Sequence, residues 1–323
     1  MGVSSIIPAR RSATSEYRAI TEGCGLLDRS QRGKLALTGP QAKTFLQGQV
    51  TGDVEALVEG RGCYAAFLTP KGKMLGDLRI LDAGEEELLL DTERVALQEL
   101  FNMVTRFSIG YELELHKRTL QRGLLSLIGP RAAATAGMSE LAPEEHANAP
   151  LVLDGVRARA IRTDIGLDLL CESSDTDALS VKLVACGAEA VGEEAAECLR
   201  VERGRPRYGI DLDATVIPQE AGLNARAVSF TKGCYVGQET VARLYYRGKP
   251  NRHLRGLACA APVHSGDAIT FGGRPVGHVG SVARSPRVGP IALALVRREA
   301  PPGVSVTVGP EAIEASVLEL PFR

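Results

Sequence analysis

Apolar and polar positions alternate or cycle along most of the chain, and the period changes several times. "GKLALTG" (33–39) alternates as a strand does, and "GPQAKTFLQGQVTGDV" (39–54) then places Phe45 and Leu46 on one face of a helix of about ten residues. "GCYAAFLTPKGKMLGDLRILDAGEEELLLD" (62–91) predicts three strands separated by turns at Pro70-Lys71-Gly72-Lys73 and Asp82-Ala83-Gly84. "TERVALQELFNMV" (92–104) has the spacing of an amphipathic helix, with Thr92 as its expected N-cap. "GYELELHKR" (110–118) alternates again.

From residue 119 the pattern reads as strand, turn and short helix (122–137), then a loose connection (138–155). A hairpin (156–171) and a mostly helical stretch (177–204) follow. "YRGKPNRHLRG" (246–256) predicts a turn-rich hinge, and "HSGDAITFGGRPVGHVGS" (264–281) a run of short strands between glycine turns. About the last seventy residues therefore read as a small all-β module, and no internal repeat of 20–50 residues is visible.

At 323 residues and 44% hydrophobic content the chain can fill two or three cores. Trp is absent and aromatics make up 4%, so the cores are expected to be aliphatic, and extensive stacking on single-stranded nucleic acid is not expected. A net charge of -1 gives no global field for nucleic acid or anionic membrane, although a local basic patch is compatible with it. There is no apolar run of eighteen residues and no secretory h-region. Arg10, Arg11 and the nearby serines only faintly resemble a transit peptide, and Ile6 argues against myristoylation. Seven scattered cysteines with no C-x-x-C and five histidines give no metal-ligand spacing, so a reducing, cytoplasmic setting is expected.

"TKGCYVGQET" (231–240) is the stretch richest in chemistry. If extended, it points Lys232 and Cys234 the same way, and the ammonium would favour thiolate. Gly233 and Gly237 would permit close backbone approach or positive φ, and Gln238 and Glu239 would open a helix or supply polar contacts. A buried cysteine in a turn explains the same spacing. Asp77 in "KMLGDLRIL" and Asp168 in "IGLDLLC" fit solvated alternating positions as well as functional carboxylates. Tyr245, Tyr246, Arg247, Lys249, Arg252, His253 and Arg255 form a basic, aromatic run that suits RNA, an anionic cofactor tail or solvent. His116, His264 and His278 have no ligand-spaced companions.

"KGCYVGQE" (232–239) is similar to the signature of the YgfZ-type folate-binding proteins, which share a superfamily with the glycine cleavage T-protein, an aminomethyltransferase. "GLLDRSQRGKLALTGPQAKTFLQGQVTGDV" (25–54) and "LRVERGRPRYGIDLD" (199–213) resemble two further superfamily motifs, in order. The resemblance implies an α+β, three-domain cloverleaf with a central funnel for tetrahydrofolate and a small C-terminal β-barrel. It implies a folate-binding region over 1–245, with an inserted α+β subdomain at about 40–118, and a barrel domain over 246–323. The implied role is assembly or repair of [4Fe–4S] clusters, including those of tRNA-modifying enzymes, through iron–sulfur client or assembly proteins. In that role the protein is expected to be a monomer with no DNA, membrane or resident metal. The implied location is the cytoplasm, or the mitochondrial matrix for a eukaryotic source.

Cys234 is then the functional thiol, framed by Lys232, Gly233, Gly237, Gln238 and Glu239. Asp77 matches the T-protein's catalytic aspartate, although Gly76 replaces the acid before it. Asp168 falls where the T-protein has a pterin-binding glutamate, one methylene longer. The T-protein's folate-contacting arginine falls on Ala196, and Lys232, Arg247 and Lys249 are the cations expected to hold a folate tail instead. The 231–240 segment is expected at the funnel mouth. The rival implication is a true folate-dependent aminomethyltransferase centred on Asp77; a scaffold that binds folate only structurally is the third.

Overall fold

The computed structural model describes residues 13–323. The transit-peptide and myristoylation readings concern residues outside that range. In chain order the first elements are α1 (Ala13–Glu22), β1 (Gly25–Asp28), β2 (Gly33–Thr38), α2 (Ala42–Gln49), β3 (Gly62–Leu68), β4 (Met74–Asp82), β5 (Glu87–Thr92), α3 (Leu97–Phe107) and β6 (Glu114–Lys117). Next come β7 (Arg122–Ile128), α4 (Ala132–Thr135), β8 (Asn148–Leu153), β9 (Val156–Thr163), β10 (Gly166–Glu172), α5 (Thr176–Ala185), β11 (Glu189–Ala190), α6 (Glu193–Glu202), α7 (Asn224–Ala227) and α8 (Gln238–Arg247). The barrel strands are β12 (Arg252–Cys259), β13 (Ala268–Phe271), β14 (Arg274–Ser285), β15 (Gly289–Arg297), β16 (Ser305–Val308) and β17 (Ile313–Leu318).

These form three β units. One sheet has the order β11-β1-β7-β10-β9-β8, a second β3-β4-β5-β2-β6, and the last six strands close into a barrel. The mixed α/β fold with a C-terminal barrel is the architecture expected. The second sheet begins at Gly33, earlier than the anticipated insert, and the predicted hinge holds the last two residues of α8 and the start of β12. Thr92 does not cap a helix. It ends β5, and its hydroxyl donates to the Asp77 carbonyl while a 3₁₀ turn (Arg94–Ala96) leads into α3.

Strand alternation places the site. Leu78 and Ile80 of β4 and Leu88 and Leu90 of β5 fill the core of the second sheet. Leu167 and Leu169 of β10 and Leu125 and Leu127 of β7 fill that of the first. The opposite faces meet each other. Ala36, Leu81, Leu89 and Ile161 make a dry contact there. Asp77, Arg79, Asp91, Ser126 and Asp168 continue the same faces as a polar layer, and that layer opens into a funnel. Arg200 of α6 and the buried Asp211 tie the funnel wall to the barrel: Asp211 accepts from Arg200 at 3.1 Å and from the Ser281 amide at 2.7 Å.

The 229–237 segment is pinned to the end of α2. Lys232 Nζ donates to the carbonyls of Gln47, Val50 and Gly52 at 2.6–2.8 Å, and the Val236 amide donates to Gly48 O. The lysine thus satisfies acceptors at a helix C-terminus, where they lack intrahelical partners and where the dipole favours a cation. Gly237 has φ of 85°, and a Cβ there would lie 2.6 Å from the Thr69 carbonyl. Gly233 has open space around it and nothing in the structure requires a glycine there. Gly237→Ala is therefore expected to lower unfolding free energy in urea by about 2 kcal/mol or more, and Gly233→Ala to change it by less than about 0.5 kcal/mol. Equal effects would overturn this assignment of the two glycines.

Candidate functional site

The funnel is a cavity of about 220 Å³ between the two sheets and α6. Asp77 and Asp168 both line it, so the structure brings together these two residues singled out in the sequence. Neither is a solvated strand residue. Asp77 is 5% exposed and accepts a 2.7 Å hydrogen bond from the Tyr64 hydroxyl. Burial pushes its pKa up to about 6, against the pull of that hydrogen bond. Burial and the neighbouring carboxylate keep Tyr64 protonated, and Arg226 lies over its ring at 5.3 Å. Asp168 accepts from Arg79 at 2.7 Å and from Ser126 at 2.6 Å. The other fork of Arg79 bonds Asp91, which also pairs with Arg32 at 2.7 Å.

Around this floor stand Arg29, Arg203, Arg205 and Arg207. Asp164 pairs with Arg203 and Arg205, and Glu193 with Arg207. Ala196 does line the funnel, so the position expected to lack the folate-contacting arginine is a bare piece of its wall. The arginines of "RGRPR" supply the cations. The expected tail-binding cations do not: Lys232 is enclosed by carbonyls, and Arg247 and Lys249 are exposed on and just after α8, outside the funnel lining. The sequence signal for the rim is the arginine spacing of 200–207 inside "LRVERGRPRYGIDLD". Arg79 carried a signal too: a charge two residues from Asp77 in an otherwise apolar strand.

Among the described residues, most of the buried side-chain atoms that lack a hydrogen-bond partner are here. Arg29 Nε, Arg79 Nε, Arg207 Nε and His146 Nδ1 all belong to funnel residues. Burial pushes His146 down to about 3, so it is neutral. Unpaired buried donors are costly, and a polar, anionic ligand would satisfy them. A cavity of 220 Å³ lies below the roughly 300–1,000 Å³ that a drug-sized ligand takes. It therefore suits a flat head group, with the rest of the molecule along the arginine rim.

Cys234 is accessible, as a functional thiol needs to be, but it is not part of the cavity. The segment is not an extended strand, so the period-two rule fails: Lys232 and Tyr235 turn inward and Gly233 and Cys234 outward. The Lys232 ammonium is held by the carbonyls of Gln47, Val50 and Gly52. Its charge acts on Cys63, whose pKa burial nonetheless pushes up to about 12. The buried-cysteine alternative fails as well. Gln238 is the first residue of α8, and Glu239 is exposed in its first turn.

The chain matches the GCVT N-terminal domain over residues 7–232 and the glycine cleavage T-protein C-terminal barrel domain over residues 252–323. The aminomethyltransferase of Saccharopolyspora erythraea is 31% identical over 95% of this chain and 89% of its own. A chloroplastic transferase-type protein of Arabidopsis thaliana is 29% identical over 94% of this chain and 72% of its own. The crystal structure of the glycine cleavage system aminomethyltransferase T from Bartonella henselae superposes with a TM-score of 0.86, at 25% identity, over 98% of this chain and 91% of that one.

Two outcomes follow from this geometry. Asp77 binds its proton more tightly folded than unfolded, so between about pH 4 and pH 6 the native state holds more protons and stability falls as pH rises. Asp77→Asn is expected to raise unfolding free energy by about 2–3 kcal/mol at pH 7 and by little at pH 4; an equal gain at both pH values would refute the buried-carboxyl reading. In thiol alkylation at neutral pH, Cys186 and Cys234 are expected to label first and at similar rates, ahead of the other five cysteines. A large excess rate at Cys234 alone would overturn an order of reactivity set by exposure.

Proposed function

The chain belongs to the glycine cleavage T-protein family, and we propose that its funnel binds a reduced folate such as tetrahydrofolate and serves transfer of an aminomethyl-type one-carbon group. The observation that carries this reading is the buried Asp77 carboxyl beside Tyr64, facing Asp168 across one cavity. The named relatives support it. Bound folate supplies the nitrogen that takes up the one-carbon group. Asp168 offers a carboxylate to the paired N–H donors of a pterin edge, held in place by Arg79 and Ser126. The rim arginines hold an anionic tail. Asp77, with a pKa of about 6, accepts or returns a proton near neutral pH, and the Tyr64 hydroxyl fixes which carboxylate oxygen faces the cavity.

The iron–sulfur role has a narrower basis: the resemblance of "KGCYVGQE" and the exposure of Cys234. In that reading Cys234 meets client or assembly proteins at the surface, away from the folate head. A lone thiol cannot hold a cluster, so the partner would supply the other ligands. The YgfZ branch, the monomeric state and a cytoplasmic or matrix location belong to this second reading. No helix among the described residues is long and apolar enough to cross a membrane.

Calorimetry tests the first reading. Wild type is expected to bind tetrahydrofolate, with Asp168→Ala about ten- to a hundredfold weaker. Asp77→Asn should retain binding and lose turnover of an aminomethyl-carrier substrate. Unchanged affinity in Asp168→Ala would remove the carboxylate from the site. Absence of turnover by wild type, together with loss of iron–sulfur enzyme activity on gene deletion that Cys234→Ala does not rescue, would decide for the second reading.

A further inference from the structure

Outside the funnel, one surface combines two features that the one-carbon chemistry does not use. Residues 226–255 carry seven Lys and Arg against a single acid, Glu239, in a chain whose net charge is -1. Four of those cations are committed: Arg226 to Glu145, Lys232 to its three carbonyls, Arg252 to Glu220 and Arg255 to Glu319. Arg243, Arg247 and Lys249 are exposed and form no ion pair among the described residues. Between them on the same helix end are Tyr245, 49% exposed, and Tyr246, 67% exposed. Tyr245 stacks on Phe230 with ring centroids 3.8 Å apart and planes 17° apart, and Tyr246 stands edge-on to Tyr245 at 5.0 Å.

The helix dipole accounts for cations in a last turn. It does not account for two large rings left in water beside them. The Phe230 stack fixes Tyr245 in advance, so little side-chain freedom remains to be lost when a flat group lands on the cluster. We propose that this end of α8, with Phe230, Tyr245, Tyr246, Arg243, Arg247 and Lys249, is a docking platform for single-stranded RNA. An unpaired strand offers what both features require: phosphates for the three cations and free base faces for the rings. A duplex keeps its bases stacked on one another, and an acidic peptide uses the charges but leaves the rings without a partner. Single strands in a cell are mostly RNA, which sets the source. The platform spans about 6 Å of helix from Arg243 to Arg247 at 1.5 Å per residue, with Lys249 two residues beyond, enough for a few nucleotides and consistent with a chain poor in aromatics overall. The inference is independent of the folate reading.

The test is fluorescence anisotropy of the full chain with a labelled ten-nucleotide oligouridine. The wild type is expected to bind with a slope of log affinity against log salt of about -2, as three phosphate contacts on a single strand give. Arg243→Ala/Arg247→Ala/Lys249→Ala should flatten that slope. Tyr245→Ala/Tyr246→Ala should weaken binding about tenfold or more while leaving the slope in place. Tyr246→Ala alone, at the more exposed ring, gives the same direction if the double variant folds poorly. No binding by wild type at about 0.1 mM protein, where even non-specific contacts register, would overturn the proposal. So would affinity untouched by the ring substitutions, or equal affinity for polyglutamate, which would mark an acidic protein's docking site. Tighter binding of duplex RNA, or of oligothymidine, would overturn the single-stranded RNA assignment. Tetrahydrofolate affinity should be unchanged in every variant.

Discussion

Arg79 is the link on which the funnel depends. It stands on β4 of one sheet, reaches sideways to Asp91 on β5 and across to Asp168 on β10 of the other. Three carboxylates in one layer would repel each other and carry a heavy desolvation cost. A guanidinium can serve two of them from one planar group, with geometry that a lysine could not match. Removing it would leave Asp168 without a cation while Asp91 kept Arg32, and breaking a buried pair in this way costs about 3–5 kcal/mol. The same layer keeps the cavity open. Where Ala36, Leu81, Leu89 and Ile161 meet, the two sheets close on each other. Where the charges meet, they cannot collapse into a dry contact, and room for a polar guest remains.

The chemistry is thus divided between two places. The funnel has the titratable carboxyl, the unpaired donors and the arginine rim. The 231–240 segment has a structural lysine, a structural glycine and a thiol turned to solvent. A single mechanism with thiol and folate in one cavity does not fit this arrangement. Cys234 and Asp77 serve the same protein only if a partner, rather than a shared substrate atom, connects them.

Much of this was legible in the sequence and some of it was not. The strand triplet over 62–91, the hairpin over 156–171 and the terminal barrel follow from alternation and glycine turns. Asp77 and Asp168 looked like solvent positions because alternation reports a strand's two faces without saying what covers the second one. Here a second sheet covers it. Thr92 had the composition of a cap, but a 3₁₀ turn delays the helix, and the hydroxyl is used to brace Asp77. Lys232 and Cys234 were read as neighbours in space through a rule for extended chains. The carbonyls of Gln47, Val50 and Gly52 that turn the lysine inward lie at least 180 residues away in sequence, beyond any local pattern.

That separation bears on how the chain is made. The last carbonyls of α2 leave the ribosome with no lysine to receive them, and they wait for Lys232. At about 5–20 residues per second, the intervening 180 residues take roughly 10–40 s to synthesise. Through that interval the second sheet can assemble from contiguous sequence, whereas α2 keeps an unfinished end. The lysine is thus a late fastener: the nascent protein can complete a subdomain early, but it locks the segment bearing Cys234 only when nearly three-quarters of its length has emerged.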